Sequence, residues 1–297
     1  DFNVPGDLSV LDGKYLVAGE YALSHRISLF DLEGHFVRVL KTTKSAYNPI
    51  ALREGKIAYM SLSHGAEDKN QTEQIQSVYI KDTASQKEVH VSSFNTFSRT
   101  ISLKSRTRFS FGESTQGWTY ICRTKKRDLV VGISNQPFLT VYSPDGERLY
   151  EIVLRGEAIP VTRLLIRQFK EKQLDELRKN QHFMKGPGGT MLKELEKADF
   201  ETIFNKHLPL YQELLVDEAG YLLVFRKDGC FFDCPNIFEV YTSEGEFICE
   251  TEIKTGDYKL LISRISKHVC FTEEGLIALV EPKDSPQFRL EIIKVAY

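Results

Sequence analysis

A chain of 297 residues that is 41% apolar, with 19 Phe and 13 Tyr, can fill one large β domain or two ordinary ones, and its aromatic content favours strands. Its 39 Lys and Arg against 41 Asp and Glu leave a formal charge of −2, which excludes a general attraction to nucleic acid or an anionic membrane surface. No run approaches the roughly 18 apolar residues that cross a bilayer, and the opening DFNVPGDLSV lacks the basic and apolar regions of a signal peptide, as a trimmed exported chain also would.

In chain order, the apolar LSVL leads into DGKYLVAGE (Asp12 to Glu20), then RISLF, the turn phrase LFDLEG (Leu29 to Gly34) and HFVRVL. A degenerate copy follows in REGKIAYMSL and QSVYIKDTASQKEVHV. The next stretch, TFSRTISLKSRTRFSFGES, is poorly patterned. A full copy returns as RDLVVGIS (Arg127 to Ser134), PFLTVY, VYSPDG (Val141 to Gly146) and ERLYEIVL. Another comprises QELLV, EAGYLLVFR (Glu218 to Arg226), NIFEVY, VYTSEG (Val240 to Gly245) and EFICETEI, and EEGLIALVE with FRLEIIKV supplies a last degenerate one. In each, a short turn with an acid and a glycine permits the positive φ of a tight reversal, and the flanking apolar patterns mark paired strands.

The repeating unit is thus a four-stranded antiparallel meander of about 40 to 50 residues, the size of a propeller blade. The predicted fold is an all-β propeller of four-stranded blades: six are expected and five are recognisable, with the sixth hidden in TFSRTISLKSRTRFSFGES or completed by residues preceding Asp1. Irregular all-β hairpins are the rival arrangement. One segment, 161–209, breaks the pattern. It is charge-rich, with Leu165, Phe169, Leu174 and Leu177 near helical spacing and Leu192, Leu195 and Ile203 on a second stretch. We read it as two helices separated by GPGG, with Thr190 as the second N-cap, inserted between blades of a single domain spanning 1–297.

The cassette LPLYQELLVDEAGYLLVF, preceded by a charged helical insertion and by VYSPDGERLYEIVL, resembles bacterial six-bladed β-propeller proteins related to NHL-repeat propellers. Leu223 stands where Trp is common in that family. The resemblance covers most of the chain and implies an exported protein, periplasmic or at the cell surface.

Candidate chemistry is sparse. The seven histidines include no HExxH pair, no GxSxG nucleophile turn is present, and calcium loops of the DxDxDG type are absent. KGPGGTMLKE places glycines before a helix but lacks the spacing of a phosphate loop. Among Cys122, Cys230, Cys234, Cys249 and Cys270, the pair Cys230 and Cys234 in DGCFFDCP can close a local disulfide, form half of a soft-metal site or stay as two thiols. Phe231 and Phe232 between them are either buried or presented as an apolar patch. The basic run CRTKKRD (Cys122 to Asp128) reads as a solvated turn, and the sequon NQT at Asn70 to Thr72 as a chance match.

A propeller collects its loops on two ends. The acid-glycine turns share one end, so the connections between second and third strands share the other: EYALSHR, SLSHGAEDKNQTEQ, SNQP, RKDGCFFDCPN and EPKDSPQ. They differ in length and carry His25, Arg26, His64, Arg226, Phe231 and Phe232, the expected ligand-binding residues. The leading expectation is a non-enzymatic module that binds a protein, peptide or glycan there, without cofactor or nucleic acid. The alternative is a metal-dependent lactonase or lyase, with a divalent ion held in the central funnel by residues such as Glu20, Glu213, Asn135 and Asn236, as comparison with gluconolactonase-type propellers implies.

Overall fold

The computed structural model describes residues 5–20, 25–68, 71–104, 108–110, 117–179, 187–226, 237–253, 258–260, 269–272, 275–282 and 289–293. Five antiparallel sheets follow one another among them. The first is β1 (Pro5–Leu11), β2 (Tyr15–Glu20), β3 (Arg26–Asp31) and β4 (Phe36–Lys41), paired in that order. The second holds β5 (Tyr47–Ala51), β6 (Lys56–Asp68), β7 (Gln71–Asp82), β8 (Glu88–Ser102) and β9 (Arg108–Ser110). β10 (Thr119–Arg123), β11 (Leu129–Ile133), β12 (Phe138–Tyr142) and β13 (Arg148–Val153) make the third. β14 (Tyr211–Val216), β15 (Leu222–Arg226), β16 (Ile237–Tyr241) and β17 (Phe247–Glu252) make the fourth. In the fifth, β20 (Gly275–Pro282) pairs with β18 (Tyr258–Leu260), β19 (Val269–Thr272) and β21 (Arg289–Ile293). The chain is a β-propeller of mainly four-stranded blades.

The strand sequences explain how the sheets stack. In β10 and β11, Cys122 and Val130 face the fourth sheet, while their chain neighbours Ile121, Leu129 and Val131 face the second. Successive side chains point to opposite faces, so a strand buried on both sides reads as a continuous apolar run such as LVV or LLVF. The fourth strands have one wet face and alternate instead, as in FICETE. The interface between the first two sheets is built the same way, from Val17, Ile27, Leu29 and Leu40 against Ala51, Ile57 and Tyr59. Each fully buried aliphatic side chain contributes about 1.5–3 kcal/mol, which makes these interfaces the main source of stability.

The repeated phrase has one structural meaning. At Asp31, Thr124, Ser143, Asp217 and Thr242, a side-chain oxygen accepts the backbone N–H four residues later, at 2.7, 3.1, 3.2, 2.7 and 3.1 Å respectively. The residue three positions on takes positive φ: +87° at Gly34, +62° at Arg127, +86° at Gly146, +97° at Gly220 and +93° at Gly245. Glycine suits four of these five positions because it has no Cβ to clash there. The first turns of sheets one and two are tighter two-residue reversals, with Asp12 and Gly13, then Glu54 and Gly55, all at positive φ.

Three expectations need correction. SLSHGAEDKNQTEQ is not a loop where it is described: β6 and β7 continue pairing to Asp68 and Gln71, making a long hairpin arm. The described part of TFSRTISLKSRTRFSFGES is no separate blade, because β8 runs through it and pairs with β9 in the second sheet. Two helices do lie between β13 and β14, α1 (Arg163–Lys179) and α2 (Pro187–Lys197), but α2 takes in the last three residues of the GPGG expected to separate them. Thr190 is not an N-cap, since α2 begins at Pro187, whose fixed φ and missing N–H suit a first turn. Phe169, Leu174, Leu192, Leu195, Phe200, Ile203 and Phe204 pack on Ile101 and Leu103 at the end of the arm. Arg99 Nη1 donates to Phe204 O at 2.8 Å, fastening the insertion to the second sheet.

Candidate functional site

The meander order of the first four sheets puts the end of each second strand and the start of each third at one end. Four of the expected ligand residues are described there, on three different sheets. His25 and Arg26 open β3, with Arg26 opposite Lys41, and His25 is exposed. His64 is exposed on β6 of the arm, opposite Gln74. Arg226 closes β15. Phe231, Phe232, Cys230 and Cys234 lie outside the described residues, as do Asn236 and the side chain of Glu20.

Arg226 belongs to a network that sequence reasoning did not assemble. Its Nη1 donates to Glu239 Oε1 at 3.0 Å and Glu250 Oε2 at 3.4 Å, and its Nη2 to Glu157 O at 3.4 Å. Tyr241 donates its hydroxyl to Glu239 Oε2 at 2.5 Å and accepts the Arg155 N–H at 2.9 Å. The side chain of Glu239 is 3% exposed and that of Arg226 22%. Burial, then the hydrogen bond to Glu239, pushes the Tyr241 phenol well above its ordinary value. A Cβ at Gly156 would stand 3.1 Å from the guanidinium, so glycine lets the chain leaving the third sheet pass close over Arg226. The network welds the fourth sheet to that segment and leaves the Arg226 side chain partly exposed. Its signal in the sequence is the acid of NIFEVY, flanked by two apolar residues, one strand away from the arginine of LLVFR.

Of the residues of the metal-dependent alternative, the side chains of Glu213 and Asn135 are described. Glu213 on β14 is 1% exposed, and its Oε1 accepts the N–H of Leu214 at 2.9 Å. Asn135 is exposed, with its amide against Gly117. Among the described residues, the one group able to offer three ligand atoms within 4.8 Å is Asp31, Glu33 and His35, at the hairpin turn between β3 and β4. Asp31 Oδ2 lies 3.0 Å from His35 Nδ1. Slight desolvation works against ionisation of Asp31, but the N–H and imidazole of His35 hold it below the usual carboxylate range. This is the repeated turn with an imidazole added, on the outer strands and away from the axis.

The opposite end carries the basic run, and it is no mere solvated turn. Arg123 reaches backbone carbonyls of the first and second sheets, Arg127 lies 3.3 Å from Asp12, and Lys126 lies 3.7 Å from Glu244. Arg53 is 3.3 Å from Asp128, the last residue of the run.

No family model matches the chain, and no curated protein matches it. Solved structures resemble it distantly. The β-propeller domain of Cps50 (Swd1) from Myceliophteria thermophila shares 11% identity at a TM-score of 0.37, covering 98% of this chain and 84% of that one. BamB from Moraxella catarrhalis shares 10% at 0.41, covering 98% and 77%. A protein of unknown function from Bacteroides caccae shares 10% at 0.39, covering 93% and 70%. These likenesses carry no functional conclusion.

Proposed function

We propose that this propeller is a non-catalytic binding module that recognises a protein, peptide or glycan at the end of the sheets bearing the second-to-third-strand connections. One contrast carries the reading. At the other end, five turns repeat a single hydrogen-bonding scheme, whereas here the sheets diverge: the second extends into a long arm with His64 and Phe97 exposed, and the helical insertion docks on that arm. Uniform turns serve the scaffold, and divergent connections on a rigid scaffold serve recognition. His25, Arg26, His64 and Arg226, with Phe231 and Phe232, form the proposed contact set. We also read 1–297 as one six-bladed domain with 161–209 inserted in it, and as periplasmic or cell-surface, following the family resemblance. No described helix is long and apolar enough to cross a membrane.

Selection of peptide-display and glycan-array ligands on the wild type, repeated on the double variant His64→Ala with Phe97→Ala, tests the site. Ligands should be lost from that variant and kept by Asp145→Ala at the turn end. Ligands insensitive to the arm, or hydrolysis of lactones that requires an added divalent ion, would reject the reading.

A further inference from the structure

The first turns of four successive sheets converge around Arg123. This residue ends the inner strand β10, and its Nη1 donates to Ala51 O at the end of β5 at 2.8 Å and to Val10 O in β1 at 3.5 Å. One guanidinium therefore ties three consecutive inner strands at the turn-side end of the axis. Around it, Asp12 of the first sheet accepts the Gly55 N–H of the second at 3.1 Å and lies 3.3 Å from Arg127 of the third. Lys125 Nζ donates to Ala219 O of the fourth at 3.4 Å.

The charges here are unequally matched. Arg127 has Asp12, Arg53 has Asp128 and Lys126 has Glu244. Arg123 has two neutral carbonyls. Burial first, and then the like charge of Arg127, lower its proton affinity, with Glu218 acting in the opposite sense through space. A guanidinium carries five N–H donors in a planar fork, and among the described residues only Nη1 is engaged. Arg123 is half-buried, and its Nε and Nη2 make no hydrogen bond among the described residues. The edge formed by Nε and Nη2 is the one that grips a planar oxyanion with two parallel hydrogen bonds.

We propose that Arg123, flanked by Arg127, forms an oxyanion-binding site at the turn-side mouth of the axis, taking a carboxylate or phosphate group through its free guanidinium edge. Asp12 is already engaged by Arg127 and the Gly55 N–H and Asp128 by Arg53, and Glu218 sets the upper bound on affinity by competing for the same charge. The site is at the opposite end from the proposed recognition surface and is independent of what binds there.

Thermal-shift and calorimetric titrations with inorganic phosphate and with succinate, against sodium chloride at matched ionic strength, test it. Both oxyanions should raise the unfolding temperature saturably, and their order of affinity separates phosphate from carboxylate preference. Arg123→Gln should abolish binding, but it also unties three strands. Two changes outside the strands therefore decide the matter: Arg127→Gln should weaken binding about three-fold and Glu218→Gln should tighten it by a similar factor, the size expected of one partly screened charge. Equal effects of chloride, or affinities unmoved by both substitutions, would overturn the proposal.

Discussion

Replacing the turn glycines by alanine separates backbone strain from inter-sheet packing, because three of them share one conformation and differ in what lies beyond them. Gly34, Gly146 and Gly245 have φ of +87°, +86° and +93°. A Cβ at Gly34 meets nothing within 4 Å, whereas at Gly146 it falls 2.9 Å from Val89 Cγ1 and at Gly245 2.9 Å from Ile152 Cγ1. Val89 and Ile152 belong to the fourth strands of the preceding sheets, so these two turns press on their neighbours. Gly34→Ala should cost only the left-handed penalty of about 1–2 kcal/mol. Gly146→Ala and Gly245→Ala should add an overpacking cost of about 1–3 kcal/mol. Urea unfolding of each variant, followed by far-ultraviolet circular dichroism, measures the differences. In a double-mutant cycle, Val89→Ala should return Gly146→Ala to the cost of Gly34→Ala. Equal losses at Gly34 and Gly146, or no relief from Val89→Ala, would refute the assignment of these turns as inter-sheet contacts.

Glu239→Ala should destabilise the fold by about 3–5 kcal/mol in urea, since it strands a buried tyrosine hydroxyl and an arginine, and Glu239→Gln should lose less. Phe169→Ala should cost the insertion about 3–5 kcal/mol locally, read as early proteolysis within 161–209 while the sheets stay protected. The phenols of Tyr59, Tyr120, Tyr211 and Tyr241 are all raised, first by burial. Their folded values lie above the unfolded one, so their contribution is complete below about pH 10 and falls as pH rises beyond it, where only the unfolded chain ionises. An alkaline absorbance titration should show these tyrosines ionising together with unfolding, and Tyr241→Phe should shift that transition.

The sheets were legible in the sequence because burial on two faces writes an unbroken apolar run, as in Leu129 to Val131, and because an Asp, Ser or Thr followed three residues later by glycine specifies a hydrogen-bonded reversal. The arm was not legible. Beyond Met60 its strands are richer in polar residues, including buried Ser61 and Gln76, so neither an unbroken apolar run nor a clean alternation marks them as paired. The ends of the sheets were harder still. Arg226 was found as a polar residue at a strand terminus, but Glu239 is 13 residues away, and only the register of β15 on β16 places the two side by side. The basic run misled for the same reason: Arg123 finds its carbonyl partners 72 and 113 residues back along the chain.

The clasp between the arm and the insertion also sets a schedule for biosynthesis. Arg99 and Phe204 are 105 residues apart, so Ile101 and Leu103 emerge from the ribosome long before the helices that cover them. At bacterial or eukaryotic elongation rates this leaves greasy side chains on an unfinished nascent chain for about 5–20 seconds. Until the insertion is made, the end of the arm is a place where an unassisted chain can stick to its neighbours.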